Sequence, residues 1–378
     1  MGLVSKTSAS FLAHFGTLED PRIERCKRHK LGDILFLAVC AMLAGANDFV
    51  AMQKFGHAKW HWLKKFLELP NGIPAHDTIG RVFALLDGEQ FIQCFLSWVQ
   101  TIHQVTAGEV VAVDGKTARA SLDRGKGQNP LHVVSAWSSA NRVVLGEVMV
   151  DEKSNEITAI PKLLQLLELH GAIVTIDAMG CQKEIATQVR ERGADYVLAV
   201  KGNQEHLEED VVACFAAVDE GTKRPRQRSQ TTQRSKGHGR VERRWYDAMP
   251  VPTTLRHLDE WKDLRTVCRV TRMWTEQGEE KSEVRYFISS LPADAQALAK
   301  AILGHWGVEN GLHWVLDMYF GEDRSRARTE HAAANLAVLR RWIVTLLRQD
   351  KTLKAGIEKK RLQAGWNEAI LEKILGLS

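Results

Sequence analysis

The spacing of apolar positions changes character several times along the chain, and each change predicts a different kind of element. Up to about residue 105, apolar residues recur at helical spacing in ILFLAVCAMLAG, VAMQKFGHAKWHWLKKFL, TIGRVFALLD and FIQCFLSWVQTIH, with Pro70, Gly72 and Pro74 breaking the series. Asp33, Asp48 and Asp77 precede the first three runs and are expected to cap them, because a short side-chain oxygen there accepts from the unpaired N–H groups of the first turn. From Glu109 the pattern becomes β-branched. EVVAVD, a turn GKTARAS, then LHVVSAW and RVVLGEVMV predict three consecutive antiparallel strands. Pro161 suits the first turn of a helix through KLLQLLELH that closes at Gly171. AIVTID, CQKEIATQVRER and DYVLAV then form a strand–helix–strand unit, which requires parallel pairing and a right-handed crossover.

A three-strand meander followed by alternating helices and strands predicts an α/β fold with a ribonuclease H-like mixed sheet. The expected units are an all-helical domain over 1–105, a first part of the core over 106–204, a β-rich insertion with a basic loop over 205–292, a second part of the core over 293–350, and an amphipathic tail over 351–378. The insertion opens with Glu205, Glu208, Glu209 and Asp210 and carries nine Lys or Arg side chains between Lys223 and Arg244. That density suits phosphate contact, and equally a solvated loop. The short N-terminal helices, with Arg81 and the basic run RIERCKRHK, suit either a helix-turn-helix reader of DNA or a packing module.

Composition narrows the function classes. The 378 residues are 44% hydrophobic and 26% charged, with a formal net charge of +5, and the isoelectric point is near 8.8; these values lean mildly toward an anionic partner. Six scattered cysteines with no CxxC pair argue against a thiolate zinc site and fit a reducing cytosol. The longest apolar run, Ile34 to Gly45, is short of the ~20 residues of a spanning helix. The expectation is a cytoplasmic protein with no membrane partner.

The candidate chemistry lies in three acids. Asp114 is expected at the end of the first strand and Asp177 at the end of the fourth, each before a glycine-containing turn, where open α/β sheets gather their sites. The third lies in GHWGVENGLHWVLD, residues 304–317, where His305, Glu309, His313 and Asp317 recur at steps of four and so share one ridge of a helix. Asp114, Asp177 and Glu309 can together hold hard divalent cations. Two such ions stabilise the attacking and leaving oxygens of a displacement at phosphorus. Lys116 and Lys201 are candidates to neutralise a phosphate. Two other readings fail. GKT at 115–117 has Val110 where a phosphate-cradling loop needs glycine, and zinc on His305, Glu309 and His313 would take all three ligands from one helix.

VVAVDGKT, VDEKSNEITAIPKLL, IVTIDAMGCQ, DYVLAVKGNQ, HWGVENGLHWVLDMYF and ANLAVLRR resemble, in order and wording, insertion-sequence DDE transposases of the group that includes the H-repeat-associated proteins. The resemblance runs over about residues 15 to 350. It implies Asp114, Asp177 and Glu309 as catalytic and metal-binding acids of a two-metal site, with Mg²⁺ as the ion and Mn²⁺ as substitute. It also implies strand cleavage and transfer at the terminal inverted repeats of an element, on double-stranded DNA, by a homo-oligomer associated with a bacterial nucleoid. Lys116, Lys201, Asn203, Arg234, Lys236, Arg240, His305 and His313 are the expected DNA contacts. The alternative is a relic that binds or nicks DNA without transposing. One departure matters: where the wider superfamily has Tyr and Arg before the glutamate and Lys after it, this chain has Ile302, His305 and Leu316. Ala120 also stands where the group often has Gly.

Overall fold

The computed structural model describes residues 13–122, 125, 129–150, 155–225, 227–237, 240–276 and 279–377, apart from the side chains of residues 236, 237 and 240. Nine strands are present among them: β1 (Val110–Thr117), β2 (His132–Ser138), β3 (Val143–Met149), β4 (Ile173–Ile176), β5 (Asp195–Val200), β6 (Ser229–Gly237), β7 (Arg240–Pro250), β8 (Thr266–Glu276) and β9 (Glu279–Ser289). They hydrogen-bond into one sheet in the order β3-β2-β1-β4-β5-β9-β8-β7-β6. β1, β2 and β3 pair antiparallel as the meander requires, and β1, β4 and β5 pair parallel. β9 then joins β5 antiparallel, so the strands of the 205–292 stretch extend the same sheet.

The α-helices are α1 (Leu31–Leu43), α2 (Phe49–Ala58), α3 (Trp60–Leu63), α4 (His76–Leu85), α5 (Gly88–Ile102), α6 (Glu156–Leu166), α7 (Lys183–Glu191), α8 (Glu205–Asp219), α9 (Ala295–Val308), α10 (Trp314–Phe320), α11 (Ala332–Gln349), α12 (Ile357–Trp366) and α13 (Glu368–Leu375). α11 is the spine on which the N-terminal helices and the sheet meet. Trp342 stacks on Phe15 at 4.5 Å between ring centroids, and Asn335 donates to the carbonyls of Phe83 and Leu86 at 2.8 and 2.9 Å. On the sheet side, Arg341 reaches Glu147 of β3 at 2.8 Å and Glu322 at 2.9 Å, all three buried. Residues of the N-terminal helices, the sheet and α11 form one apolar cluster.

Several local expectations are corrected. Asp48 caps α2 through the N–H of Ala51, but α1 starts at Leu31, and Asp33 lies inside its first turn with its carboxylate on the N–H of Leu69 at 2.8 Å. Asp77 likewise sits inside α4, whose N-cap is Ala75. α6 begins at Glu156, with Pro161 in its interior. β1 does not end at Asp114 but runs on to Thr117, paired throughout with β2. The basic loop is a β-hairpin: β6 and β7 pair from Ser229–Ala248 to Gly237–Arg240. The acidic opening of that stretch is α8, and the tail folds as α12 and α13, where Arg361 donates to the Met42 carbonyl at 2.8 Å.

Candidate metal centre

Parallel pairing brings the first two acids together. β1 and β4 stay in register up to Val113 opposite Ile176, so Asp114 and Asp177 are the next residues on neighbouring parallel strands. There β1 outruns β4 and continues with β2 alone. Asp114 Oδ1 accepts from the Gly115 N–H at 3.0 Å. Asp177 Oδ1 accepts from the N–H groups of Met179 and Gly180 at 3.0 and 3.3 Å, which fixes the loop that follows β4.

The third acid arrives on a helix seated tightly on β1 and β2. Asp294 caps α9 by accepting from Gln296 and Ala297. Near its other end, a Cβ on Gly304 would lie 2.8 Å from Val110 Cγ1. Ser139 Oγ donates to the Gly304 carbonyl at 2.6 Å. The next five residues, Glu309–His313, form a π-helical turn before α10 begins. Its centre, Gly311, faces Trp137, where a Cβ would meet Cζ2 at 2.8 Å. Glycine is required at 304 and 311 because backbone and β-strand side chains touch there. π-turns interrupt α-helices mostly at functional sites.

The ridge at steps of four faces the sheet, and its members divide the work. His313 Nδ1 lies 3.1 Å from Glu309 Oε2 and 3.6 Å from Asp114 Oδ2. Ligand atoms of Asp114, Glu309 and His313 lie within 4.8 Å of one another; Asp177 stands outside that tight group. His305 Nδ1 is 3.1 Å from Thr175 Oγ1 of β4. Asp317 pairs with Lys116 at 2.8 Å.

Electrostatics mark the same spot. Burial raises the Asp114 carboxyl to about 6; His313 opposes that rise, while Asp177 and Glu156 add to it. Glu309 is held below its ordinary value, first by its hydrogen bond with His313, against partial burial. Burial pushes the His305 imidazole down. Asp114, Asp177, His305 and Glu309 face a cleft of about 530 Å³, whose lining also includes Lys201 and Trp306.

The expected DNA contacts are dispersed. Lys116 is buried and committed to carboxylates, Asp317 at 2.8 Å and Asp323 at 3.3 Å. Lys201 is exposed at the cleft. Asn203 donates to the Ala178 carbonyl at 2.7 Å, tethering the loop after Asp177. Arg234 is exposed on β6, with β5, β9, β8 and β7 between it and β4. The side chains of Lys236 and Arg240, on the same hairpin, lie outside the described residues.

Two features went unread in the sequence. Glu156 Oε1 lies 2.7 Å from His132 Nε2, and His132 Nδ1 lies 2.7 Å from Thr117 Oγ1. This pair packs over the Cα of Gly115, where a Cβ would sit 2.6 Å from His132 Nε2. Arg285 stacks on the half-exposed Trp306 ring, 4.7 Å from its centroid. The glycines at 304, 307 and 311 were the available signal for the helix seat, since three small residues on one helix invite close packing.

Comparison with known proteins gives the chain's relatives. The chain is 42% identical over 372 residues to "Putative transposase YncI" of Escherichia coli O157:H7, covering 97% of this chain and 94% of that one. It is 38% identical over 369 residues to "H repeat-associated putative transposase YhhI" of Escherichia coli strain K12, covering 96% and 97%. A cryo-EM structure of a piggyBac transposase synaptic complex aligns over 98% of this chain and 77% of its own, at 9% identity and a TM-score of 0.43, a likeness too loose to carry the fold. Residues 12–99 match the DDE_Tnp_1-associated family. With residues 106–346 matching the Transposase DDE domain, the chain belongs to that family of transposases.

Proposed function

We propose that the chain is a DDE-type polynucleotidyl transferase that cuts DNA at the terminal inverted repeats of an insertion sequence and joins the ends to target DNA. The observation that carries this reading is the meeting of three acids at one cleft: Asp114 on β1, Asp177 just past the adjacent parallel strand β4, and Glu309 at the end of a helix seated over β1. A ribonuclease H-like core is supported by the order β3-β2-β1-β4-β5, antiparallel in its first three strands and parallel from β1 onward.

A divalent cation fits the residues present. Asp114 and Glu309 converge to within 4.8 Å around a cleft, and carboxylate oxygens are the donors that Mg²⁺ and Mn²⁺ take. Asp114, Asp177 and Glu309 would hold it, in a set able to carry two ions. When bound, such ions make an attacking oxygen more nucleophilic and offset charge on the leaving oxygen. The chain's own part is to hold and shield. Asp177 orders the β4 loop through its two backbone hydrogen bonds, and Asn203 tethers the same loop. Lys201 offers a positive charge to a phosphate at the rim. The nucleophiles are water in the cutting step and a DNA 3′-hydroxyl in the joining step, with no covalent protein–DNA adduct.

The test is to incubate the purified chain with Mg²⁺ and a duplex carrying the element's terminal repeat, both intact and pre-cut, with a target plasmid. Cut ends from the first and joined products from the second are expected. Cutting without joining makes it a nuclease, and trapping a phosphoprotein adduct contradicts the mechanism.

A further inference from the structure

We propose that His313 is a nitrogen ligand of the cation held by Asp114 and Glu309. The centre is then a mixed carboxylate–imidazole site that prefers a transition-metal ion such as Mn²⁺ or Co²⁺ over Mg²⁺. This rests on the metal-dependent reading above and adds a ligand to it.

Geometry is the first support. His313 Nδ1 is the atom that faces both carboxylates, at 3.1 Å from Glu309 and 3.6 Å from Asp114, and one donor atom from each of the three residues falls within 4.8 Å of the others. Enclosure is the second. His313 is only 7% exposed, and among the described residues its buried Nε2 has no hydrogen-bond partner. Among the described residues, the ring's polar contacts are the two carboxylates at Nδ1. Because Nδ1 is the nitrogen turned to both carboxylates, a cation at the centre of the three donors would take its lone pair in place of the hydrogen bond to Glu309, with the ring proton on Nε2.

The backbone gives the third support. Glu309 and His313 bound the π-turn, and Gly311 between them is wedged on Trp137, so the two side chains are presented from a fixed, irregular turn. His305 differs: its Nδ1 meets the Thr175 hydroxyl at 3.1 Å rather than a carboxylate. Lys116, the nearby cation, is engaged with Asp317 and Asp323. Imidazole nitrogen suits later transition metals better than Mg²⁺, which favours oxygen and retained water. Exchanging one oxygen donor for His313 therefore shifts the preference of the site.

The test uses the full chain without DNA and reads bound Mn²⁺ by electron paramagnetic resonance. Pulsed measurements on the unaltered chain should show nitrogen modulation from a directly bound imidazole, changing to the ¹⁵N pattern when histidine is ¹⁵N-labelled. The signal should persist in His305→Gln and vanish in His313→Gln, with Mn²⁺ affinity lowered about tenfold or more. Displacing bound Mn²⁺ should need at least about tenfold excess Mg²⁺. If Asp114→Asn abolishes Mn²⁺ binding while the unaltered chain shows no nitrogen modulation, the ligand proposal is overturned and the carboxylate site stands. If Asp114→Asn leaves Mn²⁺ binding unchanged, the metal reading falls and this proposal with it. The labelled, unsubstituted chain keeps the test decisive even where His313→Gln fails to fold.

Discussion

Lys116 Nζ lies 2.8 Å from Asp317 Oδ1, joining the strand that carries Asp114 to the ridge that carries Glu309. Lys116 follows Asp114 by two residues, and Asp317 follows Glu309 by eight, so the pair spans the candidate site from behind. Lys116 is buried, while the Asp317 side chain is about a third open to solvent. Breaking a fully buried pair costs ~3–5 kcal/mol; with Asp317 partly solvated, Lys116→Met is expected to cost about 2 kcal/mol. Denaturant unfolding checks this. In a double-mutant cycle with Asp317→Asn the two losses should be less than additive.

The helix seat makes a second prediction. Alanine is the better helix former by about 1 kcal/mol, yet Gly304→Ala would drive a methyl to 2.8 Å from Val110 Cγ1, and Gly311→Ala another to 2.8 Å from Trp137 Cζ2. Val110 is stiff at χ1 and Trp137 is buried, so neither yields easily. Overpacking of this kind costs ~1–3 kcal/mol, and each variant should be destabilised on balance. Both should also bind Mn²⁺ more weakly, because the helix bearing Glu309 is pushed off β1. Unchanged melting temperature and unchanged metal affinity would contradict the close seat.

A third prediction concerns Glu109, the buried residue just before β1. Burial alone would raise its carboxyl, but hydrogen bonds from His103, Ser138, Thr106 and Asn141 outweigh this and hold it at about 2, below the ordinary 4.5. A depressed folded-state value means that the carboxylate's stabilisation is fully present above pH 4.5 and is lost as pH falls through 2. Glu109→Gln should therefore cost stability at neutral pH, about 1–3 kcal/mol for a disrupted buried network. Its stability should then fall less steeply than the parent's between pH 4.5 and 2, as read by urea titrations at each pH.

Much of this architecture is legible in the sequence alone. The meander and the strand–helix–strand unit show clear alternation and crossover logic, and Asp114, Asp177 and Glu309 stood out as carboxylates beside apolar runs. What escaped was set by long-range pairing. SQTTQRSKG has no apolar face to betray a strand, and β6 exists because its backbone pairs with β7. β1 runs past Asp114 because β2 continues beside it, a contact that the residues GKT do not announce. Likewise, the steps of four put His305, His313 and Asp317 on Glu309's face, but periodicity alone could not assign their partners. The fold gives Thr175 to His305, Asp114 to His313 and Lys116 to Asp317.

The buried cluster behind the site gives a fourth prediction. Arg341 stands between Glu147 and Glu322, at 2.8 and 2.9 Å, with all three enclosed. Arg341→Met would strand two buried carboxylates at a cost of ~3–5 kcal/mol. Adding Glu147→Gln and Glu322→Gln together should recover much of that loss, since the stranded charges go with them. A triple variant no more stable than Arg341→Met would show that the cost lies in packing rather than charge.

On the proposed function, Asp114, Asp177 and Glu309 form one metal-dependent phosphoryl-transfer site. The most direct measurement is single-turnover cleavage of a terminal-repeat duplex in Mg²⁺ by Asp114→Asn, Asp177→Asn and Glu309→Gln, each with its melting temperature recorded beside the parent's. Each substitution is expected to remove cleavage, by about 10³-fold or more, while the chain stays folded. Cleavage at the parental rate by any one folded variant would take that residue out of the site, and parental cleavage by all three would overturn the assignment of a phosphoryl-transfer site to these acids.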